Sequence, residues 1–185
     1  MSGVMARVLW VLVVGWSTVG LAEGPPMVVT AKRLGAHRVR IQGSVTVPQT
    51  PEAVWQVLTD YDHLSEFIPD LRESRTIALQ PTRLLRQQGN SRWWIFSRRV
   101  RVTFQVEETP RKEIRFRAVD GDFLEHQGVW RLMREGDRTR IVYDAVVQPR
   151  FFIPTLIGAR LLKAHLAASL QAIADRSEAV SATTP

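Results

Sequence analysis

Apolar and polar residues alternate over Arg38–Val47. Val39, Ile41, Gly43, Val45 and Val47 share one face; Arg38, Arg40, Gln42, Ser44 and Thr46 share the other. A period of two predicts a half-buried strand, and Pro48 ends it. Thr50-Pro51-Glu52 then supplies a hydroxyl N-cap, a proline at the first helical position and an acid in the first turn, the signature of a helix start. Ala53, Val54, Val57, Leu58 and Tyr61 follow at helical spacing, and Leu64–Ile68 predicts a second short helix stopped by Pro69. The middle of the chain reads as β. Leu71–Leu79 and Thr82–Gln88 flank a turn at Pro81, and Gly89-Asn90-Ser91 reads as the next turn. Trp93–Glu107 is a long strand with Val100, Val102, Phe104 and Val106 inward. Ile114, Phe116 and Ala118 face in on the strand after it. Phe123–Arg134 and Arg138–Val147 form a hairpin, with Gly128, Trp130 and Leu132 on one face and Ile141, Tyr143, Ala145 and Val147 on another.

Thr155–Glu178 is the longest helical pattern, with Ala159, Leu162, Leu166, Leu170 and Ile173 in one apolar stripe. Leu161 and Ala172 broaden it, which suits a helix clasped by a curved sheet. Helices segregated from hairpin-linked strands define an α+β fold. Residues 38–178 are expected to form one domain, after a linker or frayed segment at 23–37 and before a disordered tail at 179–185.

The first 22 residues follow another logic. Arg7 is their one charge, Val8–Trp16 is a short apolar core, and Gly20-Leu21-Ala22 places small residues at a cleavage position. This pattern predicts a secretory signal removed after Ala22, and hence a secreted or periplasmic protein. The 185 residues include no cysteine, which excludes disulfides, thiolate catalysis and cysteine-ligated metals. The four histidines show no metal-ligand spacing, and there is no GxSxG, P-loop or GxGxxG. Neither a catalytic group nor a cofactor or metal is expected. Asp120, Asp122 and Glu125 read as polar turn residues at a strand junction.

The formal net charge is +7. Arg99, Arg101, Arg115 and Arg117 fall on the outward side of two strands, a candidate face for anionic lipid headgroups. The alternative is a solvated sheet surface. No nucleic-acid-binding motif is present, and export argues against such a partner.

Several stretches together resemble the SRPBCC superfamily, the START-like, polyketide cyclase/dehydrase and coenzyme-Q-binding proteins. They are Pro51-Glu52-Ala53-Val54-Trp55, Leu58-Thr59-Asp60-Tyr61, Phe67-Ile68-Pro69 with Leu71, Phe96-Ser97-Arg98-Arg99-Val100, Gly121-Asp122-Phe123, Gly128-x-Trp130-x-Leu132 and Pro149…Phe152-x-Pro154. Their order and spacing run from about Arg38 to Arg176. The resemblance implies a helix-grip fold, a curved antiparallel sheet wrapped around the C-terminal helix. It also implies an apolar cavity for a lipid, quinone, sterol or polyketide. The secretory signal would make this chain an exported member.

The inward parity of Trp94, Phe96, Phe104, Trp130 and Tyr143 makes them candidates to line such a cavity, with Trp130 expected deep between sheet and helix. Gly128 is expected to leave a gap in the inner face. Arg98 shares the inward parity; either a β-bulge turns it out or it meets an anionic ligand group. His165 and Ser169, four apart at the stripe's edge, either bond a ligand headgroup or bond each other, a carbonyl or water. Three readings follow: a monomeric binder of a hydrophobic small molecule or lipid, a cyclase/dehydrase-type enzyme, or a membrane-docking module using the basic sheet face. The second requires His126, Tyr143 or His165 to converge with a carboxylate in the cavity.

Overall fold

The computed structural model describes residues 26–35, 37–79, 82–93, 96–152 and 155–183, and the side chains of these except 91–98, 155–157 and 183. Eight antiparallel strands form one sheet: β1 (Met27–Gly35), β2 (Arg38–Val47), β3 (Leu71–Ala78), β4 (Arg83–Trp93), β5 (Phe96–Thr109), β6 (Glu113–Gly121), β7 (Phe123–Glu135) and β8 (Arg138–Pro149). The spatial order is β1-β2-β8-β7-β6-β5-β4-β3, and the sheet does not close. Helix α1 (Pro51–Thr59) and a 3₁₀ turn (Tyr61–Glu66) carry the chain from β2, beside β8, to β3 at the far edge. Helix α2 (Thr155–Thr183) follows β8. The architecture is the α+β helix-grip fold expected from the sequence.

The alternation of β2 is realised. Val39, Ile41, Val45 and Val47 are buried, while on the outer face Arg40 forms a two-pronged pair with Asp144 of β8. The Thr50 side chain accepts a hydrogen bond from the Ala53 N–H at the start of α1, and Val54, Val57 and Leu58 are buried. Thr139, fully buried, donates from Oγ1 to the Gln49 carbonyl at 2.6 Å and ties β8 to the entry of α1.

Helix α2 packs on β1, β2 and α1. Leu166, Leu170 and Ile173 are buried there. Gly43 permits the approach: a Cβ at that position would lie 2.8 Å from a Leu166 methyl and 2.9 Å from a Leu170 methyl. The helix therefore rests on one side of the curved sheet, away from β3–β6.

Four expectations are corrected. Met27–Gly35, read as linker, is strand β1, and Met27, Val29 and Ala31 pack against the core. Gly89-Asn90-Ser91, read as a turn, lies inside β4 and pairs with Val100, Arg99 and Arg98 of β5. Gly89 serves a close approach instead: a Cβ there would stand 2.8 Å from the Asp70 carbonyl oxygen, which accepts from the Asn90 N–H. The second short helix is a 3₁₀ turn that begins earlier, at Tyr61. Of the expected tail at 179–185, residues 179–183 are the end of α2, with Val180 packed against the core and Ser181 donating to the Ser177 carbonyl. The signal segment Met1–Ala22 lies outside the described residues.

Candidate functional site

Because α2 leans on β1 and β2, the inner face of the far strands is left uncovered. The result is a cavity of about 560 Å³ between sheet and helix. Leu85 of β4, Val100, Val102 and Phe104 of β5, Ile114 and Phe116 of β6, Phe123 and Trp130 of β7, and Tyr143 of β8 form the sheet wall. Leu161, Leu162, His165, Leu166, Ala168 and Ser169 of α2 face them. Leu64, Ile68 and Pro69, after α1, add to the lining. His37, Asp70, Asn90, Pro149 and Phe151 contribute where several strands end.

Of the helical stripe, Leu162, Leu166 and Ile173 border the cavity, while Leu170 lies wholly in the core. Lys163, Ala164, His165 and Ala168 are among the exposed positions of α2. For His165, Ala164 and Ala168 that surface belongs to the cavity lining.

An aromatic cluster fixes the deep wall. Phe104 and Phe116 meet edge to face at 5.3 Å between ring centroids, and Trp130 lies 4.4 Å from Tyr143. The His126 ring is enclosed by Phe104, Phe116 and Phe123 at 5.0, 5.6 and 4.9 Å. A register shift between Phe123 and Glu125 on β7 lets both Phe123 and His126 face inward. His126 Nδ1 is sealed from solvent without a hydrogen-bond partner. Burial pushes the His126 imidazole down to about 4, and neighbouring His165 adds to the shift. His165 is also lowered by burial, opposed by Asp70. Burial raises the Tyr143 hydroxyl, with the charge of Asp144 adding to it. All three side chains are therefore neutral near pH 7. Tyr61 also lines the cavity, but its hydroxyl is committed to Glu108 at 2.8 Å.

The sequence-based candidates separate on this geometry. Phe104, Trp130, Tyr143, His165 and Ser169 all line the cavity. Trp130 is only partly buried, because the cavity rather than α2 lies against it. His165 and Ser169 do not bond each other; neither has a hydrogen-bond partner among the described residues. Gly128 is not part of the lining. Its missing Cβ serves the strand beside it: a Cβ would stand 2.5 Å from both the Ala145 Cβ and the Asp144 carbonyl oxygen. Trp94 lies outside the described residues, as do the side chains of Phe96 and Arg98. The β4–β5 register runs without a shift from Phe96 to Val106, so no bulge falls at Arg98.

Arg99, Arg101, Arg115 and Arg117 are exposed. Arg115 is held by Glu113, and Arg117 donates to Gln105 Oε1. The carboxylates near the β6–β7 junction have structural tasks. Asp122 Oδ2 accepts from the Arg101 N–H at 2.8 Å. Glu125 is gripped by Arg38 at 2.6 and 3.0 Å, which holds its carboxyl below the usual range. Sequence reasoning named His126 only as a catalytic alternative and missed His37 and Asp70, whose positive φ values of 59° and 62° belong to turns. Alternation had no means of aiming them.

A curved, open sheet gripping one long helix around an apolar cavity is the START-like, helix-grip fold. A profile of the family described as polyketide cyclase / dehydrase and lipid transport matches residues 47–174, and the chain belongs to that family. Among solved structures it resembles TTHA0849 from Thermus thermophilus, with a TM-score of 0.66 and 20% identity over 78% of this chain and 99% of that one. The Zhui aromatase/cyclase from Streptomyces sp. R1128 gives 0.65 and 19%, over 77% and 94%. The STAR-related lipid transfer protein from Xanthomonas axonopodis (fragment 25–204) gives 0.67 and 18%, over 82% and 93%. At these identities the likeness is one of fold. No curated protein matches the chain in sequence.

Proposed function

We propose that this protein binds a hydrophobic small molecule, of lipid, quinone or polyketide type, between its sheet and α2, and does so outside the cytoplasm after removal of Met1–Ala22. The observation that carries the reading is the 560 Å³ cavity with its mainly aliphatic and aromatic lining. That volume falls in the range of small-molecule sites. Apolar surface removed from water there contributes about 25 cal/mol per Å². The family description includes lipid transport, and a solved neighbour carries lipid transfer in its name.

Ala164 and Ala168 sit one turn apart on α2 and border the cavity. Ala168→Trp should abolish binding of an uncharged apolar fluorophore while leaving the melting temperature within a few degrees. Native mass spectrometry of protein from its own host, followed by lipid extraction, should find a bound apolar molecule. An Ala168→Trp variant that binds the probe as wild type does would refute the site. N-terminal sequencing of exported protein should begin at Glu23.

One observation favours a second reading, catalysis on a bound polyketide-like substrate: His126, His165, Tyr143 and the carboxylate Asp70 all line one cavity. An enzyme would lose turnover on one substitution, such as His165→Ala, with binding intact. A binder would show only a modest change in affinity.

A further inference from the structure

The outer face of the sheet carries its charge unevenly. On β2, β7 and β8 outward arginines reach carboxylates: Arg38 meets Glu125, Arg40 meets Asp144, Arg131 meets Glu113 and Arg140 meets Glu135. Across β3–β6 the pattern changes. Register sets Arg75 opposite Arg86, Arg86 opposite Thr103, Arg101 opposite Gln88, Arg99 opposite Asn90 and Arg117 opposite Gln105. These five arginines are exposed and extend over three strand spacings, roughly 14 Å. Arg75 has Glu73 at 3.3 Å, and Arg117 donates to the neutral Gln105. Arg86, Arg99 and Arg101 have no carboxylate within ion-pair distance among the described residues.

The fold gains little from this array. Like charges directly opposite each other on paired strands destabilise a sheet, and Arg75 faces Arg86 across β3 and β4. Glu73 offsets part of that cost beside Arg75, and Asp120 lies opposite Thr103. Asp122 Oδ2 accepts from the Arg101 backbone N–H. A guanidinium without an internal anion is open to an external one, and phosphate suits its forked donors. Two aliphatic side chains flank these cations. Val119 is the extra residue of β6 where the β5–β6 register shifts, and Ile77 sits at the shift between Thr76 and Ala78 on β3; they are 47% and 42% exposed. Cations beside exposed aliphatic chains suit a lipid interface, where phosphates overlie the first methylenes. Arg99 and Arg101 also alternate along β5 with Val100 and Val102, which line the cavity. A surface bound through β5 is therefore separated from the apolar site by one strand.

We infer that the outer face of β3–β6, centred on Arg86, Arg99 and Arg101, docks this protein on an anionic lipid bilayer. The contact does not depend on what fills the cavity, so it stands or falls apart from the ligand-site reading.

Sedimentation with two kinds of vesicle tests it: phosphatidylcholine alone, and an equal mixture of phosphatidylcholine and phosphatidylglycerol. Wild type should sediment with the mixed vesicles and not with phosphatidylcholine alone, and high salt should release it. Each basic residue at such a surface contributes about fivefold to partitioning, so Arg86→Gln/Arg101→Gln should lower it about 25-fold. Its melting temperature should stay within a few degrees of wild type, since neither side chain is buried. Arg138→Gln/Arg140→Gln on β8 removes the same number of arginines and should bind nearly as wild type does. Should Arg86→Gln/Arg101→Gln fail to fold, Arg99→Gln/Arg117→Gln carries the same expectation. Equal binding of wild type to both vesicles overturns the inference, as does a loss in the β8 variant that matches the loss in the β3–β6 variant. A duplex DNA that binds wild type more tightly than the mixed vesicles, and loses that binding in Arg86→Gln/Arg101→Gln, overturns it in favour of a nucleic-acid face.

Discussion

His126 makes the folded state sensitive to acid in a defined window. An unfolded histidine takes up its proton near pH 6.5, whereas burial in the aromatic cluster holds His126 down to about 4. The folded pKa of this base lies below the unfolded one, so between the two values the unfolded state binds the extra proton. Stability is full above about pH 6.5 and falls as pH drops towards 4, by about 3 kcal/mol in all for a shift of this size. His165 is shifted in the same direction, with Asp70 opposing. His63, raised by surface Asp60, works with the opposite sign. The depressed carboxylates Glu113, Glu125 and Asp144 lose their contributions only at lower pH. Urea midpoints should therefore fall between pH 6.5 and 4.5, and His126→Phe should flatten that limb; an equally steep limb in the variant would contradict the assignment. Thr139 offers a second residue-scale test. Thr139→Val deletes the buried bond to the Gln49 carbonyl, and should cost about 1–3 kcal/mol in the same melts.

At the scale of elements, two inward glycines of equal parity do unequal work. A methyl at Gly43 meets the ends of Leu166 and Leu170, which can shift; at Gly128 it meets the backbone of β8 and the Ala145 methyl. Gly128→Ala should lose about 1–3 kcal/mol in chemical denaturation, and Gly43→Ala less. Equal losses would mean that α2 is held as rigidly as the β7–β8 ladder. The contrast also marks how far the sequence could be read. Alternation placed Gly43, Gly128, Phe104, Trp130 and Tyr143 on the inner face correctly, because one face of each strand is apolar. It is silent on distance, so it took Gly128 for a gap. Strand β1 escaped notice because Met27, Val29 and Ala31 alternate briefly behind Pro25-Pro26. In β4, Gly89-Asn90 mimics a turn while satisfying the approach of Asp70. The aim of His126 could be read from its shared parity with Gly128. That of Phe123 could not, since it depends on the register shift before Glu125. His165 and Ser169 were legible from helical spacing alone; their freedom from each other was not.

For the molecule as a whole, an occupied cavity should couple binding to stability. A ligand at about 100 times its Kd adds about 2.7 kcal/mol to the unfolding free energy, a rise of several degrees in a domain of this size. Differential scanning fluorimetry with an uncharged apolar ligand should show it, and Ala168→Trp should not respond. The sheet order has a temporal consequence too. Strand β2 finds its central partner in β8, and Arg40 and Asp144, which pair across that seam, are 104 residues apart in the chain. The surface on which α2 rests is completed by β1 and β2, so the earliest described strands wait on the last strand and helix for their burial. Such distant pairing must meet the entropy of closing a long loop before any contact compensates it. Refolding should therefore be slow for a chain of this length, on the scale of milliseconds to seconds. A ribosome must release most of the chain before the grip can form. Until then β1 and β2 wait without the β8 edge that completes their side of the sheet, while β3 to β8, neighbours in sequence as in the sheet, can already zip together.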